Sequence, residues 1–349
     1  MRVHAIRGIN TAIRMTDFVS LNHGSGGKLS HDLINKVFVK RFGIVEPLTD
    51  SAIIKDSGPS ISFTTDSYVV DPVFFPGGNI GNLAVCGTVN DLAVSGARPL
   101  VISASFIIEE GFAVDELTAI AESMAEEALK AGVRIVTGDT KVVDKGKCDK
   151  VFITTSGIGL LKPENEHIST GKFIKPGDKV IINGSLGNHA VAIMGARNKL
   201  SFSTPVISDC SPLNHLINNV LESCKEIRFM RDITRGGLAT VLNELTRMIG
   251  YSISINEDSV PVDEPVKGLC EMMGFDPLYL ANEGKVLMIA GAGQEKRVID
   301  ILRSDPLGKN AGIIGEIMPD KKRLVILNTA IGGKRIIDML TGQQLPRIC

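Results

Sequence analysis

Two successive rounds of strand and helix patterning limit what this chain can fold into. Residues 51–75 carry SAIIKD and then ISFTTDSYVVDPVFF, rich in β-branched residues and alternating in polarity, which predicts two strands. Pro76-Gly77-Gly78 breaks that pattern. Residues 79–95 predict a helix with Leu83, Val85, Val89, Leu92 and Ala93 as its apolar positions, stopped by Gly96-Ala97-Arg98-Pro99. A strand at 100–108, an amphipathic helix at 115–131 and strands at 133–137 and 151–160 follow, the last two separated by the polar loop TGDTKVVDKGKCDK. The turn Lys175-Pro176-Gly177-Asp178 opens a second round. Its strands are expected at KVIINGSLG, 251–255, 285–291, 311–318 and 323–328, and its helices at 188–197, 213–225, LATVLNELTRMIG and EKRVIDILRS, with a loop at 201–212. This rhythm in both halves predicts an α+β, two-domain architecture rather than one doubly wound sheet.

Composition narrows the function. The 349 residues are 44% apolar and 22% charged, enough for a large core without disulfide or metal staples. A net charge of −1 offers no bulk attraction for nucleic acid or an anionic membrane, and the densest basic run, Lys321-Lys322-Arg323, reads as a solvated turn. With no Trp and three Tyr, stacking platforms for single strands are lacking. No apolar run approaches the ~18 residues of a membrane span, and the first 21 residues contain no apolar signal core. The six cysteines form no C-x-x-C pair, which fits free thiols in a reducing compartment, so a cytoplasmic location is expected.

Several groups of residues could do chemistry. Asp50, Asp56, Asp66, Asp71, Asp91 and Asp139 fall at predicted strand ends or loop mouths. Each by itself is an ordinary cap or turn residue; gathered on one face they would suit Mg²⁺ and a nucleotide. Neither G-x-x-x-x-G-K-[ST] nor a G-x-G-x-x-G after a strand occurs. His23–Lys28, HGSGGK, is a glycine turn or a phosphate cradle, and it precedes the first strand. Thr137-Gly138-Asp139-Thr140-Lys141 combines a carboxylate, a hydroxyl and an ammonium; it is a capped turn or part of a phosphoryl-transfer site. In Asp232-Ile233-Thr234-Arg235-Gly236-Gly237 the first or third residue caps a helix, or the helix start binds an anion. Glu283, in Asn282-Glu283-Gly284-Lys285, is a turn acid or a general base. The C-terminal Pro346-Arg347-Ile348-Cys349 is no prenylation signal, which needs Cys four from the end. A terminal thiol is accessible; Arg347 favours its thiolate and the terminal carboxylate opposes it.

Taken in order, HGSGG, TTDSYVVDPVFFPGGNIGNLAVCGTVNDLAVSGARP, TGDTKVV, RDITRGGL, ANEGK and the final PRIC resemble the HypE family of hydrogenase maturation proteins. That family lies in the AIR synthetase-like (PurM-like) superfamily, beside selenophosphate synthetase and thiamine-phosphate kinase. The resemblance spans residues 21–349. It implies an extension at 1–20, an N-terminal ATP-binding and dimerisation domain at 21–162, a C-terminal domain at 163–328 and a flexible tail at 329–349. About 20 residues of extended chain reach roughly 65 Å, enough to cross a domain. The resemblance further implies a homodimer, ATP and Mg²⁺ as cofactors, a HypF-like carbamoyltransferase that loads Cys349, and a HypC–HypD complex that receives cyanide for the iron of [NiFe]-hydrogenase. The reaction implied is ATP-dependent dehydration of a thiocarboxamide on Cys349 to a thiocyanate. Carried over motif by motif, Asp50, Asp66 and Asp91 would bind Mg²⁺ and phosphate. Asn90, Asp139, Thr140 and Lys141 would position the nucleotide, with Asp232 beside them, Glu283 would be the base, and Lys141 would also take up developing charge. Family members usually carry a second acid where this chain has Ser51. The rival expectations are another ATP-dependent superfamily enzyme, selenophosphate synthetase-like or thiamine-phosphate kinase-like, and a maturation scaffold without catalysis. The first cysteine, Cys86, stands far from the glycine-rich start, which argues against the selenophosphate reading.

Overall fold

The computed structural model describes residues 27–39, 49–54, 58–198, 206–340, 345 and 347–349. The 1–20 extension, His23–Gly26, Asp56 and Pro346 lie outside them. The first lobe is built on a five-stranded sheet of β1 (Ala52–Ile54), β2 (Ser60–Tyr68), β5 (Ala97–Glu109), β6 (Arg134–Val143) and β7 (Val151–Leu161), in the order β1-β2-β7-β5-β6. The short strands β3 (Phe74–Phe75) and β4 (Gly78–Asn79) pair with each other. Helix α1 (Lys28–Leu33) precedes the sheet, and helices α2 (Ile80–Val94) and α3 (Val114–Ala131) pack together on the first lobe.

Helix α2 is apolar nearly all round and buried over most of its length, as expected of a helix enclosed on every side. It starts with a capping box, in which the Asn79 side chain accepts from Gly81 N–H and the Asn82 side chain accepts from Asn79 N–H. One face of α2 covers β2, β5 and β7, while another meets the second lobe. Asn90 is the main polar link: its amide donates to the carbonyls of Ser211 (3.1 Å) and Glu283 (3.3 Å) and accepts from Leu213 N–H (2.7 Å).

The second lobe holds a seven-stranded sheet in the order β14-β13-β10-β12-β8-β11-β9. Its strands are β8 (Lys179–Ile182), β9 (Ile227–Asp232), β10 (Ile253–Asn256), β11 (Val286–Ala290), β12 (Gly312–Ile317), β13 (Val325–Asn328) and β14 (Lys334–Ile337). Its helices are α4 (Asn188–Arg197), α5 (Asn214–Ser223), α6 (Gly237–Ile249), α7 (Glu264–Met273) and α8 (Glu295–Arg303). Central β11 is buried at every residue, because α6 packs over one side of the sheet and α5 with α8 over the other. No helix among the described residues is long and apolar enough to cross a membrane.

Four elements differ from the sequence expectations, the first being α7, Glu264–Met273, where no helix was expected. Thr137–Val143 is strand, not loop: β6 pairs in parallel with β5 along its whole length, and its exposure leaves no apolar alternation to read. Ile227–Asp232 is strand, so Asp232 ends β9 and stands five residues before α6, whose start has no side-chain cap. Within the arm expected at 329–349, Lys334–Ile337 forms the edge strand β14 on β13, because Ile337 and Met339 fall into buried positions.

Candidate active site

A cavity of about 60 Å³ lies where the lobes meet, lined by Asp66, Ser67, Tyr68, Gly87, Asp91, Asp232, Thr234, Arg235, Glu283 and Cys349. Each comes from the end of an element. β2 delivers Asp66 and Tyr68, α2 delivers Asp91, β9 ends on Asp232, the turn before α6 supplies Thr234 and Arg235, and the turn before β11 supplies Glu283. The close pass of Tyr68 under α2 requires glycine at 87, since a Cβ there would stand 2.2 Å from the tyrosine oxygen.

The acids repel one another. Burial pushes the Asp91 carboxyl well above its ordinary range, and the charges of Asp66, Asp232 and Asp50 push it further; Thr64, donating at 2.8 Å, works the other way. Asp232 is raised in the same direction by burial and then by Asp50 and Asp66. Asp66 is raised by burial, against the hydrogen bond from Thr88 (3.2 Å) and the charge of Arg235. Asp50 is turned to Arg231, 3.1 Å away, whose guanidinium also pairs with Glu244, and Glu244 in turn holds His31 of α1 at 2.7 Å. Ser51 is buried with its hydroxyl 2.5 Å from that of Ser62.

Glu283 is 4% exposed, and its Oε1 has no hydrogen-bond partner. Burial raises its carboxyl well above the usual range, as do the charges of Asp232 and Asp209, with Arg235 opposing. Its backbone is fixed from behind. The Asp209 carboxylate accepts from Glu283 N–H and Gly284 N–H, both at 3.2 Å, and pairs with Lys285 at 2.7 Å. Burial by itself would raise Asp209; Lys285, His189 and these hydrogen bonds together outweigh it and hold the group below its ordinary value. Gly284 is required because a Cβ would meet the Asp209 carbonyl oxygen at 1.9 Å.

The tail closes the pocket from its own chain. Val69 N–H donates to a carboxylate oxygen of Cys349 (3.1 Å) and Asp71 N–H to the Arg347 carbonyl (3.3 Å), so the segment after β2 holds the tail in antiparallel orientation. Ile348 is buried in the core of α2 and α4. The Cys349 thiol is pushed up to about 12, chiefly by burial and then by Glu283, Asp66 and Asp232, against Arg235. In this position it is a protonated thiol, not a nucleophile.

Other residues assigned by resemblance lie elsewhere. Asn90 spends both ends of its amide on the backbone of the second lobe. Asp139, Thr140 and Lys141 sit on exposed β6, where the Asp139 carboxylate accepts from Thr140 N–H (2.9 Å) and from Lys141 Nζ (2.7 Å). Asp139 and Thr140 line an open groove of about 590 Å³, and none of the three residues lines the cavity around Cys349 of their own chain. Among the described residues, no three His, Cys, Asp or Glu side chains are gathered closely enough to hold a metal by themselves.

Comparison with known proteins gives the family. Residues 48–161 match the AIR synthase related protein N-terminal domain, and residues 175–327 match the C-terminal domain. The carbamoyl dehydratase HypE of Rhodobacter capsulatus is 49% identical over 336 residues, covering 95% of this chain and 98% of its own. The chain belongs to the HypE family of carbamoyl dehydratases. A HypE solved in a HypE–HypF complex superposes with a TM-score of 0.83 at 48% identity, over 88% of this chain and 99% of its own. A HypE solved with ATP superposes with a TM-score of 0.80 at 43% identity, over 95% and 100%.

Against that HypE background, sequence reading missed Tyr68, Thr88, Arg235, Asp209 and Lys285. Arg235 stood inside the RDITRGGL motif and Lys285 inside ANEGK, so proximity to a chosen acid was the available signal. Asp209 gave none, since it reaches Glu283 from a segment 74 positions away.

Proposed function

We propose that this protein dehydrates a carbamoyl group carried as a thiocarboxamide on Cys349 to a thiocyanate, using ATP as co-substrate, to supply cyanide for the iron of [NiFe]-hydrogenase. The observation that carries the reading is the lodging of the Cys349 side chain in one cavity with Glu283, Arg235 and the acids Asp66, Asp91 and Asp232. An amide oxygen is a poor leaving group, so it first takes the γ-phosphoryl group, giving an imidate phosphate and ADP. One N–H proton leaves as the imidate forms; loss of the remaining nitrogen proton and of phosphate then leaves S–C≡N. Glu283 is suited to take the nitrogen proton, because its raised pKa makes it a stronger base than a solvated carboxylate and its Oε1 is free of other partners. Arg235 faces the sulfur end and balances negative charge there.

The acid set fits Mg²⁺ bound with a nucleotide. Asp66, Asp91 and Asp232 raise or share in raising one another's pKa, a repulsion that a divalent cation would relieve. The lack of a three-ligand protein cluster among the described residues suits a cation that completes its shell with phosphate oxygens and water. When bound, Mg²⁺ neutralises charge on the phosphates. Asp50 would act through Arg231, which it pairs.

Lys141, Thr140 and Asp139 enter this reading through a homodimer. β6 is an edge strand with no partner on its outer side among the described residues; it exposes Ile135, Val136 and Val142, and the same sheet exposes Phe63, Ile107 and Ile158. A second copy packed there would bring these groups to a shared nucleotide site. The HypE–HypF complex supports a HypF-like carbamoyltransferase as the loading partner; a HypC–HypD complex would take the cyanide in the cytoplasm. Loading requires the tail to leave its pocket, since the docked thiol is protonated.

The test is mass spectrometry of the C-terminal peptide after incubation with the carbamoyl donor system. A carbamoyl mass gain, followed by loss of one water only when ATP is added, is expected. Cys349→Ala should keep the fold and ATP affinity and show neither change. Cyanide formed at the native rate by a protein lacking Cys349 would overturn the reading.

A further inference from the structure

We propose that His189 is a positioning residue that latches the tail by its main chain, so that the thiol is held in the pocket whatever group it carries. The inference rests on Cys349 being the carrier, and it adds the part of the chain that holds the carrier in place.

His189 lies on α4, outside the cavity around Cys349, and is fully buried. Its Nε2 is 2.7 Å from the Ile348 carbonyl oxygen, which can only accept, so Nε2 bears the hydrogen. In the neutral ring, favoured by burial, Nδ1 then accepts from the Ser208 hydroxyl at 2.7 Å, and Ser208 Oγ accepts from Cys210 N–H at 3.1 Å. Phe75 packs edge-on against the imidazole, with ring centroids 5.6 Å apart at 88°, which fixes the ring plane. Further along α4, Arg197 Nη2 donates to the carbonyls of Asp71 (2.6 Å) and Arg347 (2.8 Å). With Val69 N–H on a carboxylate oxygen of Cys349, the main-chain oxygens of three consecutive tail residues are held.

His189, Arg197 and Val69 N–H all act on tail backbone, Arg197 also holding the Asp71 carbonyl; of the tail side chains, Ile348 fills a socket and Arg347 donates to the Val69 carbonyl at 2.9 Å and pairs with Asp149. Nothing in the latch touches the sulfur. It therefore works equally for a free, carbamoylated or cyanated cysteine, and discrimination between those states falls to Glu283 and Arg235. Removing the His189 donor leaves the Ile348 carbonyl buried without a partner, which should raise the released fraction of the tail about tenfold.

The experiment uses full-length protein with neither nucleotide nor carbamoyl donor, so its outcome is separate from whether dehydration occurs. Iodoacetamide labelling is followed by peptide mass spectrometry at Cys349, with buried Cys86 and Cys224 as internal references. His189→Ala should speed labelling of Cys349 about tenfold and leave Cys86 and Cys224 unchanged. His189→Gln, which restores an N–H donor, should return Cys349 close to the wild-type rate. Arg197→Gln, acting on the Arg347 carbonyl, should also accelerate Cys349 alone. An unchanged Cys349 rate in His189→Ala, equal acceleration at all three cysteines, or no rescue by Gln would overturn the proposal.

Discussion

Asp209→Asn separates the support of Glu283 from its chemistry. The Asp209 and Lys285 side chains are 7% and 11% exposed and lie 2.7 Å apart. Asparagine keeps the shape but only one of the two oxygens that accept from the Glu283 and Gly284 amides, and it leaves the Lys285 ammonium buried without its counter-charge. Breaking a buried pair in this way costs about 3–5 kcal/mol. The pKa of Asp209 is lowered in the folded protein, so its contribution is complete above the unfolded value of ~4 and fades as pH falls through the lower folded value. The stability gap should therefore be full at pH 7 and close in acid. The same change removes one of the charges that raise Glu283, so the acidic limb of the rate profile should move to lower pH. Urea denaturation at pH 7 and in acid, together with single-turnover water loss across pH, measures both effects. Wild-type stability at pH 7, or an unmoved acidic limb in a folded variant, would refute the reasoning.

Three further outcomes are expected. Glu283→Gln should bind nucleotide normally while single-turnover dehydration slows by about 10²–10⁴; weakened binding with full turnover, read by equilibrium titration, would contradict its role. Gly284→Ala should lose about 1–3 kcal/mol in urea denaturation, because its Cβ meets the Asp209 carbonyl, and wild-type stability would show that the turn can shift freely. Lys141→Ala should leave the melting temperature unchanged and abolish turnover, and mixing it with Cys349→Ala should restore part of the activity if a second copy completes the site; failure of the mixture to recover would count against that arrangement.

The alternating pattern made the two lobes legible, since α2, α3, α4 and α6 each bury an apolar face or stripe that repeats at helical spacing. Strand β6 was not legible past Val136, because an edge strand exposed on both faces has no alternation to display. Asp66, Asp91 and Asp232 could be chosen as acids at element ends, and the cavity brings them together. Asp50 had the same sequence signal and Asn90 was carried over by resemblance, yet Arg231 claims one and the backbone of the second lobe claims the other. Which oxygen faces a neighbour and which faces a pocket depends on contacts more than 100 positions apart, and spacing along the chain does not encode them. His189 and Arg197 were invisible for a related reason: each serves a carbonyl, which every residue has.

Because the last residue sits beside the acids of its own chain, the reacting group never has to be found by diffusion. At saturating nucleotide the first-order rate of a loaded molecule should be the same in dilute and concentrated solution, apart from any loss of dimer. The arrangement also sets a ceiling. With Cys349 as the proposed carrier, each molecule would process one group and then stall until its end is lifted out and emptied, so throughput would follow the supply of partners rather than the speed of the chemistry.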